Sequence, residues 1–288
     1  MINILQQMLS KHKITNKIER ENAIKQVIQE AVLYGLSKAG FFEYAIFNGG
    51  TALRIFYGLD RFSEDLDFSL KTADPNFNLE KYFPMLIKTL NSLGINMTVS
   101  EREKTGEVKV KSAFVKGNTR ELYLSFYSDM NIINGLHRDS LIKIKFEIDI
   151  NPPRFGKTEH KTKSEPGFYQ VQIFDLPSLF AGKINAVIAR KWRGRTKGRD
   201  LYDFVFYVNK NIKFNLKHLE DRLKESGTID KNTKLTLEEV KKMLYKRFDS
   251  INYQEAISDV INFTSENLSF DHWNAKYFKS LVDKLECE

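Results

Sequence analysis

This 288-residue chain predicts an α+β fold: a mixed sheet with flanking helices, followed by a C-terminal helical domain. Three observations carry that expectation. Residues 95–150 alternate β-branched or aromatic residues with polar ones, the period of half-buried strands. Residues 178–285 repeatedly show the three-to-four-residue apolar spacing of helices. The texture changes near residue 175, so the expected domains are 1–175 and 176–288, with no internal repeat in either.

The first element is a helix over residues 17–38 (KIERENAIKQVIQEAVLYGLSK), with Ile18, Ala23, Val27, Ala31 and Leu33 near one face and Gly40 as its stop. Phe41–Phe47 is an apolar run of strand length, ambiguous between helix and strand, that leads into Gly49 and Gly50. Thr51–Tyr57 reads as a short helix closed by Gly58. Arg61–Leu70 reads as a strand, with Phe62, Leu66, Phe68 and Leu70 on one face and Ser63, Asp65 and Asp67 on the other. Leu79–Leu93 is a second helix, begun near Pro84.

Strands are expected over Ile95–Val99, Val108–Val115, Leu122–Phe126 and Leu141–Ile150, with turn signals at Gly106, Gly117-Asn118 and Asn134-Gly135. The last strand is the cleanest. Ile142, Ile144, Phe146, Ile148 and Ile150 share one face, and Lys143, Lys145, Glu147 and Asp149 the other. Arg154–Pro166 reads as a polar connection without regular structure, and Tyr169–Phe174 as a short strand. Helices are expected over 178–191, 199–209, 215–225, 236–248, 253–265 and 274–285.

Composition narrows the function classes. Hydrophobic residues make up 42% and charged residues 28%, enough apolar material for a core. No apolar run approaches the roughly 20 residues of a membrane span. The opening residues mix Gln, Lys and His with Leu and Ile, so no secretory signal and a cytoplasmic protein are expected. The single cysteine, Cys287, excludes an internal disulfide and a cysteine-based zinc cage. The net charge is +8, and the segment Lys183–Lys217 holds ten basic and two acidic residues, so the remainder is balanced. Such a stripe suits a polyanionic partner, with Arg190, Lys191, Arg193, Arg195 and Lys197 as candidate nucleic-acid contacts; a solvated basic face is the plainer alternative. Trp192, flanked by cations, is a candidate for base stacking and Tyr202 a lesser one, with packing as the alternative for both.

The chemistry concentrates in Asn48-Gly49-Gly50-Thr51-Ala52-Leu53, followed by Arg61-Phe62-Ser63-Glu64-Asp65-Leu66-Asp67-Phe68. Two glycines before a helix permit close backbone approach, and the helix start presents N–H groups to a phosphate. Two carboxylates at i and i+2 of a strand point to one side and can share a hard divalent cation. A phosphate cradle beside a metal-binding pair suits phosphoryl or nucleotidyl transfer.

This combination resembles the nucleotidyltransferase superfamily related to DNA polymerase beta. The wording GGTAL…RFSEDLDFSL is closer still to the AbiEii-type toxins of type IV toxin–antitoxin systems, a resemblance that spans most of the chain. Lys145-Phe146-Glu147-Ile148 matches that branch's K-x-E-I strand, Lys183 its helix lysine, and Arg199-Asp200-Leu201-Tyr202-Asp203 its R-D-L-x-D element.

The resemblance implies that 1–175 is a nucleotidyltransferase domain and assigns roles residue by residue. Gly49, Gly50 and Thr51 would hold the triphosphate of an NTP, with Ser63 lining the pocket. Asp65 and Asp67 would bind Mg²⁺ or Mn²⁺, and Glu147, or its same-face neighbour Asp149, would be the third carboxylate. Lys183 would neutralise triphosphate charge, and Asp200 and Asp203 would organise the helical wall, although Asp203 could instead pair with Lys197 or Arg199 on the helix surface or cap the helix. Gly50 departs from the superfamily's usual Ser, and the Thr51 hydroxyl is a candidate replacement. The implied reaction transfers a nucleoside monophosphate to a hydroxyl, with a cognate antitoxin as an expected partner; the basic segment adjoining Lys183 makes RNA, a tRNA 3′ end foremost, the expected acceptor. A protein AMPylation- or UMPylation-type transferase and a non-catalytic nucleotide- or nucleic-acid-binding module are the alternatives. Lys183→Ala is expected to lower turnover while leaving the melting temperature near wild type.

Overall fold

The computed structural model describes residues 4–101, 119–126, 142–190, 196–264 and 268–288. The expected strand Val108–Val115, the turn signals at Gly106, Gly117-Asn118 and Asn134-Gly135, and Lys191, Trp192, Arg193 and Arg195 lie outside the described residues. The chain divides into two compact units. One comprises residues 1–58, 62–152 and 159–173, and the other 59–61, 153–158 and 174–288. Two short excursions thus join the second unit, which a single boundary at residue 175 does not anticipate.

The first unit is a mixed sheet with helices. Its helices are α1 (Ile4–Ser10), α2 (Lys17–Lys38), α3 (Gly49–Tyr57) and α4 (Phe83–Ser92). Its strands are β1 (Ala45–Asn48), β2 (Leu66–Leu70), β3 (Met97–Glu101), β4 (Thr119–Phe126), β5 (Ile142–Asp149), β6 (Thr158–Lys163) and β7 (Tyr169–Phe174), in the order β3-β4-β5-β2-β1-β7-β6. β2 runs parallel to β5 and antiparallel to β1, and β1 runs parallel to β7. α2 starts where the Asn16 side chain accepts from the Glu19 N–H, and it buries Ala23, Ile24, Val27, Ile28, Ala31 and Val32. Phe47, Phe68 and Phe146 belong to the same core, with the Phe68 and Phe146 rings 4.6 Å apart. Alternation therefore turns Asn48, Asp67 and Glu147 to the opposite face of the sheet.

Three readings of the sequence change here. Arg61–Leu70 is a strand only from Leu66, because side chains rather than a neighbouring strand engage the carbonyls of Ser63, Glu64 and Asp65. Arg154–Pro166 contains β6, whose polar residues carry no apolar signal because it lies at the sheet edge. Phe41–Phe47 splits into a 3-10 turn (Phe41–Glu43) and the start of β1. α1 was not foreseen; its seven residues bury Leu5 and Met8.

The second unit is helical: α5 (Leu176–Ala189), α6 (Gly198–Asn209), α7 (Leu216–Glu225), α8 (Leu237–Asp249), α9 (Tyr253–Val260) and α10 (Ala275–Asp283). The expected helix 253–265 is shorter than its apolar pattern, passing into a 3-10 turn at Ile261–Phe263. Phe180 stacks on Tyr207 at 4.5 Å, and Phe204, Phe248 and Phe278 continue the core. Gly198 lets α6 meet α9: a Cβ there would stand 1.7 Å from the Ala256 carbonyl oxygen. No helix among the described residues is long and apolar enough to cross a membrane.

Candidate active site

In the first unit, Asn48 precedes α3 in extended conformation, and its amide donates to Ser69 Oγ at 2.9 Å instead of capping the helix. The first-turn N–H groups of α3 therefore receive no bond from the residue that usually satisfies them. Gly49 has φ 77°, and a Cβ there would lie 2.2 Å from Asp67 Oδ2. Only glycine allows both that backbone and that carboxylate position. Thr51 is 0% exposed, and its hydroxyl donates to the carbonyl of Asp65. The hydroxyl is turned inward to the loop, so it does not replace the superfamily's Ser; at the start of α3, Thr51 offers its backbone N–H.

Register brings carboxylates together that lie far apart in sequence. Asp67 is the direct partner of Glu147 in the parallel β2–β5 pair, and Asn48 stands opposite Asp67 on the other side. Asp149 is one row further along, opposite Ser69, and accepts from the Asn151 N–H at 2.9 Å. Asp65, Asp67 and Glu147 are all half-buried. Lys145, two residues before Glu147 and so on its face, forms an ion pair with it. Ser63 is half-buried and engaged through its carbonyl.

Three carboxylates are the hard oxygen donors that Mg²⁺ or Mn²⁺ prefers. Among the described residues, no three His, Cys, Asp or Glu side chains already converge as a metal site. The donor chemistry fits a divalent cation, which Asp65 and Asp67 would hold with Glu147 as the third carboxylate beside them, either ligating a second cation or drawing a proton.

The second unit holds a charge network that centres on α5 and α6. Arg61 grips Asp203 with two bonds of 2.6 Å, in the bidentate geometry that suits guanidinium and carboxylate. Lys183 pairs with Asp200 at 2.7 Å and Asp203 at 2.8 Å, and Arg190 pairs with Asp200 at 2.8 Å. Among the described residues, three cations thus pair with these two carboxylates. Burial alone would raise the Asp200 carboxyl, but Lys183, Arg190 and Arg61 outweigh it and bring its pKa down to about 2. For Asp203, burial is likewise outweighed by Arg61 and Lys183, and its pKa is lowered.

This placement corrects several expectations. Asp203 is 0% exposed and pairs with Arg61 and Lys183, not with Lys197 or Arg199 on a helix surface. Asp200 is buried too, and of the cations that pair with the two carboxylates only Arg190 is well exposed, at 55%. Lys183 is no solvated lysine; its side chain is 14% exposed. The Tyr202 hydroxyl donates to Asp60 at 2.7 Å, and its ring lies 6.4 Å from that of Phe270.

The basic stripe is partly neutralised from within. Arg199 pairs with Asp259 at 3.5 Å and lies over the Phe263 ring, while Lys213 pairs with Glu286 at 2.8 Å. A count along the sequence misses such acids because they arrive from distant parts of the chain, Asp259 from α9 and Glu286 from the segment after α10. Lys197 is half-buried and precedes α6. Sequence reasoning also missed Arg61 and Gln29 as contributors. Arg61 was visible as the first residue of RFSEDLDF, and Gln29 as one of three polar residues, with Asn22 and Glu30, that α2 buries.

Comparison with known proteins extends the geometry. The profile of the family described as nucleotidyl transferase AbiEii toxin, type IV TA system, matches residues 31–283. The crystal structure of JHP933 from Helicobacter pylori has a TM-score of 0.50 at 17% identity, covering 94% of this chain and 92% of that one, a likeness of fold alone. A candidate nucleotidyltransferase from H. pylori follows at 18% identity and TM-score 0.45, over 90% of this chain and 89% of its own. Among curated proteins no match is found.

Proposed function

The chain belongs to the AbiEii family of nucleotidyl transferase toxins of type IV toxin–antitoxin systems, and on that footing we propose that it moves a nucleoside monophosphate from a divalent-cation-bound NTP to an RNA hydroxyl, a tRNA 3′ end foremost. Nucleotidyl transfer and a toxin role come with the family, as do an NTP substrate and an antitoxin partner. The observation that carries the finer reading is the in-register pair Asp67–Glu147 beside the α-carbon of Gly49.

Gly49, Gly50 and the N–H groups at the start of α3 receive the phosphates, where backbone donors and the helix dipole favour negative charge. Asp65 and Asp67 hold Mg²⁺ or Mn²⁺, which when bound supplies charge neutralisation at the phosphoryl oxygens. Glu147 takes the proton of the attacking hydroxyl. That oxygen forms the new bond to the α-phosphorus, the bridge to the β-phosphate breaks, and pyrophosphate leaves. Lys183 neutralises phosphate charge, and Asp200 and Asp203 serve the nucleotide indirectly by orienting its ammonium. Arg190, Lys191, Arg193, Arg195 and Lys197 follow the RNA backbone, and the cytoplasm, which holds both NTP and tRNA, is where the reaction takes place.

A second reading, transfer to a protein hydroxyl, draws support from the internal pairing of Lys183, Arg190 and Arg199. Clustered carboxylates on one sheet face count against a silent binding module, because they repel a polyanion unless a cation joins them. The test supplies each α-labelled NTP with Mg²⁺, total RNA and total protein. Label is expected in the RNA fraction, and in neither fraction with Asp65→Ala or Asp67→Ala of unchanged fold. Label in protein alone would establish the second reading, and activity in either mutant within a few-fold of wild type would sink the site assignment.

A further inference from the structure

The backbone just ahead of the aspartate pair is held by side chains from two helices. Gln29, 1% exposed within α2, sends its amide nitrogen to the Ser63 carbonyl at 3.0 Å and to the Glu64 carbonyl at 2.8 Å. Thr51 gives its hydroxyl to the next carbonyl, that of Asp65. Lys25 of α2 pairs with Glu64 at 3.3 Å, and the Arg54 guanidinium of α3 lies 4.3 Å from the centre of the Phe62 ring. Residues 62–65 are thus clasped before the strand ladder begins at Leu66.

Both N–H groups of the Gln29 amide have an acceptor here, so one buried side chain satisfies two consecutive carbonyls. A loop without ladder bonds would otherwise be free to shift. A carboxylate that binds a cation tolerates only a fraction of an ångström of such movement. Side chains that orient ligands without touching the metal are known to matter at this scale.

We propose that Gln29 is a positioning residue for the divalent-cation site: its amide fixes the Ser63–Glu64 backbone and thereby the direction in which Asp65 leaves the loop. This rests on the assignment of Asp65 and Asp67 above. Gln29 precedes the span 31–283 matched by the family profile, so nothing in that match gives it a role.

The experiment is Mn²⁺ binding to the full chain without nucleotide, read by electron paramagnetic resonance, with folding followed by thermal melting. Gln29→Met keeps the side-chain length and removes the donors. It is expected to weaken Mn²⁺ binding roughly ten-fold, the lower end for loss of an orienting group, while the melting temperature stays within a few degrees of wild type. Ser37→Ala removes another bond from α2 to a backbone carbonyl, that of Gln170, and is expected to bind Mn²⁺ as wild type does. If Gln29→Met does not fold, Gln29→Ala removes the donors without apolar bulk, and the same expectation applies. Wild-type affinity in the folded Gln29 variant, with binding lost in Asp65→Ala, overturns the proposal and leaves the site assignment standing. No Mn²⁺ binding in wild type, or unchanged binding in Asp65→Ala, removes the site assignment and this proposal with it.

Discussion

Lys183 illustrates how a single residue acquires two roles. It stands between two buried carboxylates, so among the described residues its removal leaves Arg61 and Arg190 as the partners of Asp203 and Asp200. Breaking a buried pair is costly because the remaining charge stays desolvated, and about 3 kcal/mol, the low end of the range, is expected here because Arg61 and Arg190 still face the carboxylates. Lys183→Ala is therefore expected to melt roughly 5–10 °C below wild type, in contrast to the unchanged melting expected of a solvated lysine. Its turnover should fall by roughly two orders of magnitude, the scale of one lost transition-state charge contact. Differential scanning calorimetry and single-turnover kinetics check the two separately, and wild-type melting would show that the network adds no stability. The identities of the candidate residues were legible in the sequence, because glycines and a D-x-D pair speak through local spacing. Their partners were not: Arg61 meets Asp203 across 142 residues.

At the scale of elements, the alternation of β5 was legible because each residue's face follows from its neighbours; Ile142, Ile144, Phe146, Ile148 and Ile150 are all buried. The span Arg61–Asp65 misled for the opposite reason. Its alternation is that of a strand, yet Gln29 and Thr51 hold its carbonyls. The basic segment makes a separate prediction. If Arg193 and Arg195 follow an RNA backbone, log affinity should fall linearly with log salt, and Arg193→Glu with Arg195→Glu should weaken RNA binding and flatten that slope. Filter binding across a salt series, with NTP binding as the control, measures this. Unchanged affinity would leave the segment as a solvated face and favour a protein hydroxyl as acceptor.

For the whole molecule, acid stability should be governed by two groups in the helical unit. His218 is fully buried; Nδ1 lies 2.6 Å from the Arg154 carbonyl and Nε2 accepts from Arg222 Nε at 2.9 Å. Burial and the Arg222 charge lower its pKa from 6.5 to about 4, against the opposing Arg154 carbonyl and Asp221. The folded state thus stays neutral where the unfolded chain takes a proton, so stability is complete above about pH 6.5 and falls as pH drops toward 4, by about 3 kcal/mol. Asp200 acts lower down: its depressed pKa contributes stability above about pH 4 that is lost as pH falls toward 2. Urea denaturation at pH 7 and pH 4.5 should show the first loss in wild type, and His218→Gln should remove that slope. A pH-independent midpoint in wild type would contradict the burial of a neutral His218.

The sequence by itself determined the fold class, the glycine turn, the alternation of β5 and the helices of the second half, because each depends on residues within a turn or a strand of one another. Only the tertiary structure decided that Glu147 stands beside Asp67, that Thr51 faces the loop, and that Gln29 clasps the approach to Asp65. It also decided that Asp203 and Asp259 pair with cations of the basic stripe in buried contacts, and that Glu286 meets Lys213 at the surface. The physical reason is the range of the interaction. Periodicity is set by covalent neighbours, whereas register and charge pairing are set by whichever groups the packed chain brings within a few ångströms, and burial then makes those pairings costly to leave unmade.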